Sequence, residues 1–214
     1  GMGWVSGATL TAATSEAGGL GILAAATMTL EELGTAIANV RQRTDRPFGV
    51  NLRADRDDLP ARCDLLVDHG VRVASFARAP GPDVIGRLKE AGLVVIPTVG
   101  ARRHAEKVAA WGADAVIAQG HEGGGHTGPV PTTVLLPQVC EAVDIPVVAA
   151  GGFRDGRGLV AALAWGAQGV AMGTRFLLTK ESAVPDEIKA RYLAASVTDT
   201  VVTTAVDGVP QRVV

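Results

Sequence analysis

The stretch PVVAAGGFRDGRGLVAALAWGAQGVAMGT, residues 146–174, contains a complete strand–helix–strand pattern. The apolar run PVVAA is followed by two glycines and then by RGLVAALAWGA (157–167), whose apolar residues recur at the three- and four-residue steps of a helix. A second apolar run, GVAMGT (169–174), completes the pattern. Continuous apolar runs are typical of parallel strands that are covered on both faces. The stretch therefore predicts one unit of a parallel α/β fold.

The same unit recurs along the rest of the chain. Five further apolar runs predict strands and bring their number to seven: GLGILAA (19–25), FGVNL (48–52), VRVASFA (71–77), VVIPTV (94–99) and AVIAQG (115–120). GMGWVS (1–6) resembles the tail of an eighth strand. A strand every ~20 to 30 residues predicts a (β/α)8 TIM-type barrel, with a doubly wound open sheet as the alternative. We expect a single domain over residues 1–214 that lacks most of the first strand and part of the C-terminal region.

Composition and charge narrow the class of partner. The chain has 214 residues, of which 47% are hydrophobic, and 20 basic side chains stand against 22 acidic ones. No basic excess favours nucleic acid or an anionic membrane, and no apolar run approaches the roughly 20 residues of a membrane span. The two cysteines, Cys63 and Cys140, are isolated, as is usual in a reducing compartment. We therefore expect a cytoplasmic protein that acts on a small molecule.

The segment QGHEGGGHTG, residues 119–128, carries the candidate chemistry. Gln119 ends a predicted strand, where its amide is placed to hydrogen-bond a planar heterocycle. Gly124 lies within three consecutive glycines, which permit a close approach of the backbone to such a ring. His126 follows the glycines and is the natural general acid or base. A metal site is not expected, because His121 and His126 have no further ligand at a suitable position.

Two later strand ends are candidates for binding a phosphate. Gly151 and Gly152 follow one strand, and Gly173 and Thr174 follow the next. Their backbone N–H groups are uncovered by side chains near a helix start, where an anion is favoured, and Thr174 adds a hydroxyl donor. The alternative is that these glycines only form tight turns.

Polar and small residues at other strand ends complete the candidate site. Asn51 closes the strand FGVNL and places an amide at the same edge, unless it only caps the next segment. Met2 and Gly3 are expected to approach the same edge from the remnant of the first strand. Asp155 is interpreted as a helix cap rather than as a catalytic group.

These motifs together resemble the nitronate monooxygenases, formerly called 2-nitropropane dioxygenases, over nearly the whole chain. The resemblance rests on the segments AGGLGIL, FGVNL, AVIAQGHEGGGHTG and PVVAAGGFRDGRGLVAALAWGAQGVAMGTRFLLTKES. The same motifs occur in the flavin-dependent enoyl-acyl-carrier-protein reductases. The resemblance implies a flavoprotein with FMN in a (β/α)8 barrel and His126 in a catalytic role beside the flavin. The positions that match FMN contacts are Asn51, Gln119, Gly124 and Gly152, with the phosphate held by Ala171, Met172, Gly173 and Thr174.

The resemblance leads to one expected activity and two alternatives. The expected activity is the FMN-dependent oxidation of alkyl nitronates by O2, which gives a carbonyl compound and nitrite. The first alternative is a reductase that uses NAD(P)H to reduce enoyl thioesters or quinones through FMN. The second is a shortened relative that binds flavin weakly or not at all. A barrel that lacks a strand has exposed backbone edges, so a homo-oligomer is also expected.

Overall fold

Helices and strands alternate along the chain in the computed structural model, which describes residues 1–214. All seven predicted strands are confirmed, and they pair in parallel: β1 (Gly21–Ala24), β2 (Phe48–Leu52), β3 (Val73–Phe76), β4 (Val94–Val99), β5 (Val116–Gln119), β7 (Val147–Ala150) and β8 (Gly169–Ala171). Three short strands form a separate antiparallel sheet: β6 (Gly125–His126), β9 (Val201–Thr203) and β10 (Gln211–Val213). The chain is thus of the parallel α/β class.

Nine helices accompany these strands, and the first of them precedes β1. They are α1 (Ala8–Glu16), α2 (Leu30–Arg41), α3 (Leu59–Asp68), α4 (Pro82–Glu90), α5 (Arg102–Ala110), α6 (Thr132–Cys140), α7 (Gly156–Ala164), α8 (Thr174–Leu177) and α9 (Asp186–Ala194). Helix α2 shows why these segments are helical. Thr29 and Glu32 form a reciprocal capping box, and Leu33, Ile37 and Val40 form a buried stripe at helical spacing.

The chain divides into two compact units, each with its own parallel strands. The first unit comprises Gly1–Thr98, Ala110–Asp114 and Thr179–Ala183, and the second comprises Val99–Ala109, Ala115–Leu178 and Val184–Val214. In the first unit, Asn51 on β2 is in register with Ala24 on β1 and with Ser75 on β3. In the second, Ala150 on β7 is in register with Gln119 on β5 and with Ala171 on β8. The expectation of one domain over residues 1–214 stays a prediction.

The first six residues differ from the strand tail that the sequence suggested. They form a turn in which the Val5 and Ser6 amides both donate to the Met2 carbonyl, at 3.1 and 2.9 Å. Trp4 has a φ of 58°, a left-handed conformation that interrupts an extended chain. Contact with β1 is made by the Ser6 carbonyl, which accepts from the Ala24 amide at 3.0 Å.

A buried arginine ties helix α3 to the loop that follows β1. The Arg62 side chain is only 1% exposed, and its guanidinium donates to the Ala25 and Met28 carbonyls at 3.1 and 2.7 Å. The same group pairs with Asp58 at 2.9 Å. Hydrogen bonds from Arg62 and Arg56 hold the pKa of Asp58 well below its usual range, so this carboxylate is ionised at neutral pH. The loop after β1 is therefore fixed by charge-assisted bonds inside the first unit.

Replacing this arginine tests the network. Arg62→Ala is expected to lower the free energy of unfolding by about 3 kcal/mol, because two carbonyls lose their donor and a cavity remains. Urea denaturation followed by circular dichroism measures the change. Arg72→Ala, which alters an exposed arginine of the same unit, is the matched control and should stay within ~0.5 kcal/mol of the parent. Equal urea midpoints for the two variants would show that the buried network contributes nothing to stability.

Candidate functional site

The carboxyl ends of β5, β7 and β8 lie side by side in the second unit. Because Gln119, Ala150 and Ala171 are in register, the loops that follow them leave the sheet at the same edge. Ligand sites of parallel α/β folds lie at this edge. Most of the sequence-predicted site residues belong to these three loops.

A close approach between Gly120 and Thr132 fixes the first of these loops. A Cβ atom on Gly120 would lie 2.0 Å from Thr132 Oγ1, a distance that excludes any side chain. The same Oγ1 lies 2.6 Å from Glu122 Oε2 and 3.1 Å from the Gly151 carbonyl oxygen. The Thr132 amide also donates to Glu122 Oε2 at 2.9 Å. One threonine therefore joins the loop after β5 to the loop after β7.

The charge of Glu122 strengthens this junction. Partial burial opposes ionisation of Glu122, but the hydrogen bonds from the Thr132 hydroxyl and amide outweigh it and lower the pKa of the carboxyl. Glu122 is consequently an ionised acceptor at neutral pH, and its bonds to Thr132 are charge-assisted.

Several glycines in these loops are required by the chain itself. Gly151 and Gly152 have φ values of 102° and 83°, which other residues rarely adopt. A Cβ on Gly151 would also lie 3.0 Å from the Gly123 nitrogen. A Cβ on Gly123 would lie 2.8 Å from Gln119 Nε2. A contact within the protein therefore already favours glycine at this position, and no bound ring is needed to explain it. The tight-turn interpretation of Gly151 is thereby supported.

Gln119 and strand β10 hold the backbone of His126. The Gln119 Nε2 donates to the His126 carbonyl at 2.7 Å, so this donor is directed to the protein rather than to a heterocycle. His126 lies on β6, where it pairs with Gln211 of β10 in antiparallel register. The general acid or base proposed from the sequence is thus carried by a small sheet and not by a free loop.

The His126 side chain has an acidic partner that sequence reasoning missed. Its Nε2 lies 2.8 Å from Asp207 Oδ2, and its side chain is 54% exposed. Asp207 precedes Gly208, which has a φ of 82°, in a turn between β9 and β10. An Asp-Gly pair between β-branched runs is a hairpin signal, and it could have located this turn.

Asp207 is held in its ionised form by its own turn. Hydrogen bonds from Gln211, from the Val209 amide and from His126, in that order of effect, lower the pKa of its carboxyl. At neutral pH the group facing His126 is therefore a carboxylate, which accepts hydrogen bonds and donates none.

The predicted phosphate residues have two different environments. At the start of α7, Asp155 Oδ1 accepts from the Arg157 and Gly158 amides at 3.0 and 3.4 Å, which confirms its capping role. The Arg157 and Gly158 amides are thus satisfied by a carboxylate, whereas the anion contact predicted for Gly151 and Gly152 stays a prediction. No side chain caps the start of α8 at Thr174.

The loop after β5 also reaches the end of β8. A Cβ on Gly124 would be 3.7 Å from Thr174 Oγ1, an ordinary contact distance, so the two residues face each other across a narrow space. Ala171 ends β8, and Met172 and Gly173 connect it to α8. The structure therefore brings Gly124 together with the predicted phosphate block.

The remaining predicted residues lie in the first unit. Asn51 is 5% exposed, and its Nδ2 donates to Ser75 Oγ at 2.9 Å. Met2 contributes its carbonyl to the N-terminal turn, and a Cβ on Gly3 would lie 3.2 Å from Thr27 Cγ2. These three residues are packed within their own unit at the ends of β1 and β2.

Residues 1–214 contain neither a group of metal ligands nor a helix that could span a membrane. The two histidines of the loop have separate partners, since His121 Nδ1 lies 2.8 Å from the Gly128 carbonyl while His126 faces Asp207. No three His, Cys, Asp or Glu side chains are grouped as metal ligands in residues 1–214. None of the helices has the length and apolar character that crossing a membrane requires.

Comparisons with known proteins give a consistent result. A family model described as nitronate monooxygenase matches residues 1–64 and 57–214. The chain is 67% identical over 213 residues to (3aS,4S,5R,7aS)-5-hydroxy-7a-methyl-1-oxo-octahydro-1H-indene-4-carboxyl-CoA dehydrogenase of Rhodococcus jostii, covering 100% of this chain and 60% of that protein. It is 35% identical over 250 residues to a probable nitronate monooxygenase of Staphylococcus saprophyticus, covering 95% of this chain and 70% of that protein.

A solved structure extends the comparison to the fold. The structure of FabK from Thermotoga maritima matches with a TM-score of 0.96 and 46% identity, covering 100% of this chain and 69% of that chain. The chain thus spans 60% of the length of the Rhodococcus relative and about two thirds of the FabK chain.

The junction at Thr132 can be tested with a matched pair of glycines. Gly120→Ala is expected to lower the free energy of unfolding by about 3 kcal/mol or more, because the new methyl group overlaps Thr132. Gly128→Ala is the control, since a Cβ there meets no atom within 4 Å. Thermal and urea denaturation of both variants measure the difference. Similar stabilities would mean that the close approach is not maintained in solution.

Proposed function

The chain belongs to the nitronate monooxygenase family, and we propose that it forms the flavin-binding part of an oxidoreductase that dehydrogenates a hydroxylated CoA thioester. The main support is the 67% identity to the Rhodococcus dehydrogenase over the whole chain, against 35% to the probable nitronate monooxygenase. The alternation of parallel strands and helices supports the (β/α)8 barrel as the fold of the complete protein.

The name of the Rhodococcus relative specifies the chemistry of this substrate class. Its hydroxyl group is on ring carbon 5 and its thioester carboxyl group is on the neighbouring ring carbon 4. We propose that the hydroxyl group is the one oxidised, so that a hydride leaves carbon 5, a proton leaves its oxygen, and the product is a β-keto thioester. The flavin, when bound, is the acceptor for the hydride. The protein must therefore supply a group that accepts the proton.

His126 is the group that we propose for this proton. Its imidazole is half exposed to solvent, so a substrate can reach it. The ionised carboxylate of Asp207 lies 2.8 Å from Nε2. A carboxylate partner stabilises the imidazolium that forms when the ring accepts a proton. A nitronate is already an anion and offers no such proton, whereas a secondary alcohol must lose one. The His126–Asp207 pair is therefore better matched to dehydrogenation.

The residues of the second unit fit the phosphate of FMN. The uncapped start of α8 leaves backbone N–H donors, Thr174 adds its hydroxyl, and Gly124 faces that hydroxyl without a side chain. We propose that Ala171, Met172, Gly173 and Thr174 hold the phosphate group. The isoalloxazine ring is assigned to Gln119 and Gly152 of the same unit, with Gly151 beside them.

A second candidate function is the oxidation of alkyl nitronates by O2, the activity expected from the sequence. The observation in its favour is the match to the nitronate monooxygenase family and to a probable nitronate monooxygenase over 95% of the chain. In that reaction His126 would bind the negative charge of the nitronate instead of accepting a proton. The two functions thus use the same flavin site and differ in the role of His126.

Flavin binding is the first prediction of this proposal. Adding FMN to the purified protein should quench flavin fluorescence and produce a stable yellow complex. Thr174→Val should weaken FMN binding by roughly 10-fold, because one hydrogen bond to a charged group is worth about 1.5 kcal/mol or more. Thr198→Val, which changes an exposed threonine of the C-terminal segment, is the control and should bind FMN as the parent does. Failure of the parent to bind FMN would refute the proposal.

The reaction is tested with two substrates under defined gases. Without O2, a β-hydroxyacyl-CoA should bleach the visible absorbance of the bound flavin. His126→Gln should slow this bleaching by ~10²- to 10⁴-fold while FMN stays bound. With O2, an alkyl nitronate should release little nitrite by comparison. Rapid nitrite release together with no bleaching by the thioester would favour the second candidate.

A further inference from the structure

We propose that Asp207 is a positioning residue that sets the tautomer of His126, so that Nδ1 is the nitrogen that accepts the substrate's proton. The assignment of the hydrogen to Nε2 depends only on the contacts of the second unit. Its catalytic consequence rests on the proposed function, in which His126 is the base.

Besides the Gln211 side chain, which also forms a hydrogen bond with Asp207, the two carboxylate oxygens have distinct partners. Oδ1 accepts from the Val209 amide at 3.1 Å, and Oδ2 lies 2.8 Å from His126 Nε2. Because the ionised carboxylate donates no hydrogen bond, the hydrogen between Oδ2 and Nε2 must be carried by the imidazole. In the neutral ring the lone pair is then on Nδ1. The ring nitrogen available for proton transfer is thereby defined.

The backbones of both partners are fixed by the same small sheet. Gly125 and His126 of β6 pair with Arg212 and Gln211 of β10, and Asp207 lies in the turn that leads into β10. An ion pair between two exposed side chains on separate loops contributes little order by itself. Here the backbone pairing holds the two side chains close, although they are 81 residues apart in sequence.

Two further contacts attach the β10 segment to the loop of His126. The Arg212 Nε donates to the His121 carbonyl at 3.2 Å, and the Thr127 amide donates to the Pro210 carbonyl at 3.1 Å. Together with the Gln119 bond to the His126 carbonyl, they hold the loop on both sides of the histidine. The ring is thus oriented by the carboxylate within a backbone that is already fixed.

Replacing the carboxylate by an amide separates this role from a structural one. In Asp207→Asn the amide oxygen can still accept from the Val209 amide, so the turn is retained. Its NH2 group then faces Nε2 and favours the tautomer with hydrogen on Nδ1. That tautomer has no lone pair on Nδ1, the nitrogen that accepts the substrate's proton in the proposal. The variant should therefore lose catalysis while the fold and the substrate affinity are preserved.

The test combines a spectroscopic and a kinetic measurement on the full chain with FMN. The ¹⁵N chemical shifts of His126 should show hydrogen on Nε2 in the parent and a shift toward the Nδ1–H form in Asp207→Asn. With a β-hydroxyacyl-CoA, kcat should fall by about 10²-fold or more while KM changes less than about threefold. Asp199→Asn is the matched control, because the Asp199 carboxylate accepts a hydrogen bond from the Ser196 amide in the same C-terminal segment. This variant should match the parent in both measurements.

The outcomes are distinguishable. Hydrogen on Nδ1 in the parent, or an unchanged tautomer and kcat in Asp207→Asn, would overturn the assignment. The expected ¹⁵N shifts in a protein that does not oxidise the thioester would refute the proposed function and leave the tautomer assignment standing. If hydrogen exchange shows that Asp207→Asn opens the β6–β10 pairing, the His126 tautomer is measured in the Asp207→Glu variant instead. Retention of the Nε2–H form in that variant supports the role of the carboxylate, and its loss contradicts it.

Discussion

The candidate site depends on the close approach of Gly120 to Thr132. With no room for a side chain at position 120, the threonine hydroxyl reaches both Glu122 and the Gly151 carbonyl. These contacts join the loops that follow two neighbouring parallel strands, and the ionised Glu122 strengthens them. The glycine-rich segment that follows is consequently held at a defined place on the sheet edge, where Gly124 faces Thr174.

A second constraint orients the side chain of His126, which we propose as the base. His126 is attached through its carbonyl to Gln119, through its backbone to β10 and through its ring to Asp207. The contribution of such exposed contacts to the free energy of unfolding is small. Their importance is in orientation, because a base transfers a proton efficiently only when the correct nitrogen points at the substrate. Stability and chemistry are thus supplied by different contacts in the second unit.

Family membership and substrate are separate questions in this protein. Relatives that match all or nearly all of this chain have names that specify different reactions, a CoA thioester dehydrogenation and a nitronate oxidation. What distinguishes these reactions is the need for a proton acceptor, since one substrate is an alcohol and the other is an anion. Asp207, the residue that we propose supports proton acceptance, lies outside the motifs that carry the family resemblance. The chain spans 60% of the length of the Rhodococcus relative.

The sequence by itself determined the seven parallel strands, helix α7 and the capping role of Asp155, because these features follow from periodicity and hydrogen bonds between near neighbours. It did not determine the turn at Trp4, whose left-handed conformation breaks the expected strand. Nor did it show that Gln119 donates to the His126 carbonyl or that Asp207 faces the imidazole. The reason is physical: the last contact joins residues 81 positions apart, and only the pairing of β6 with β10 brings them together.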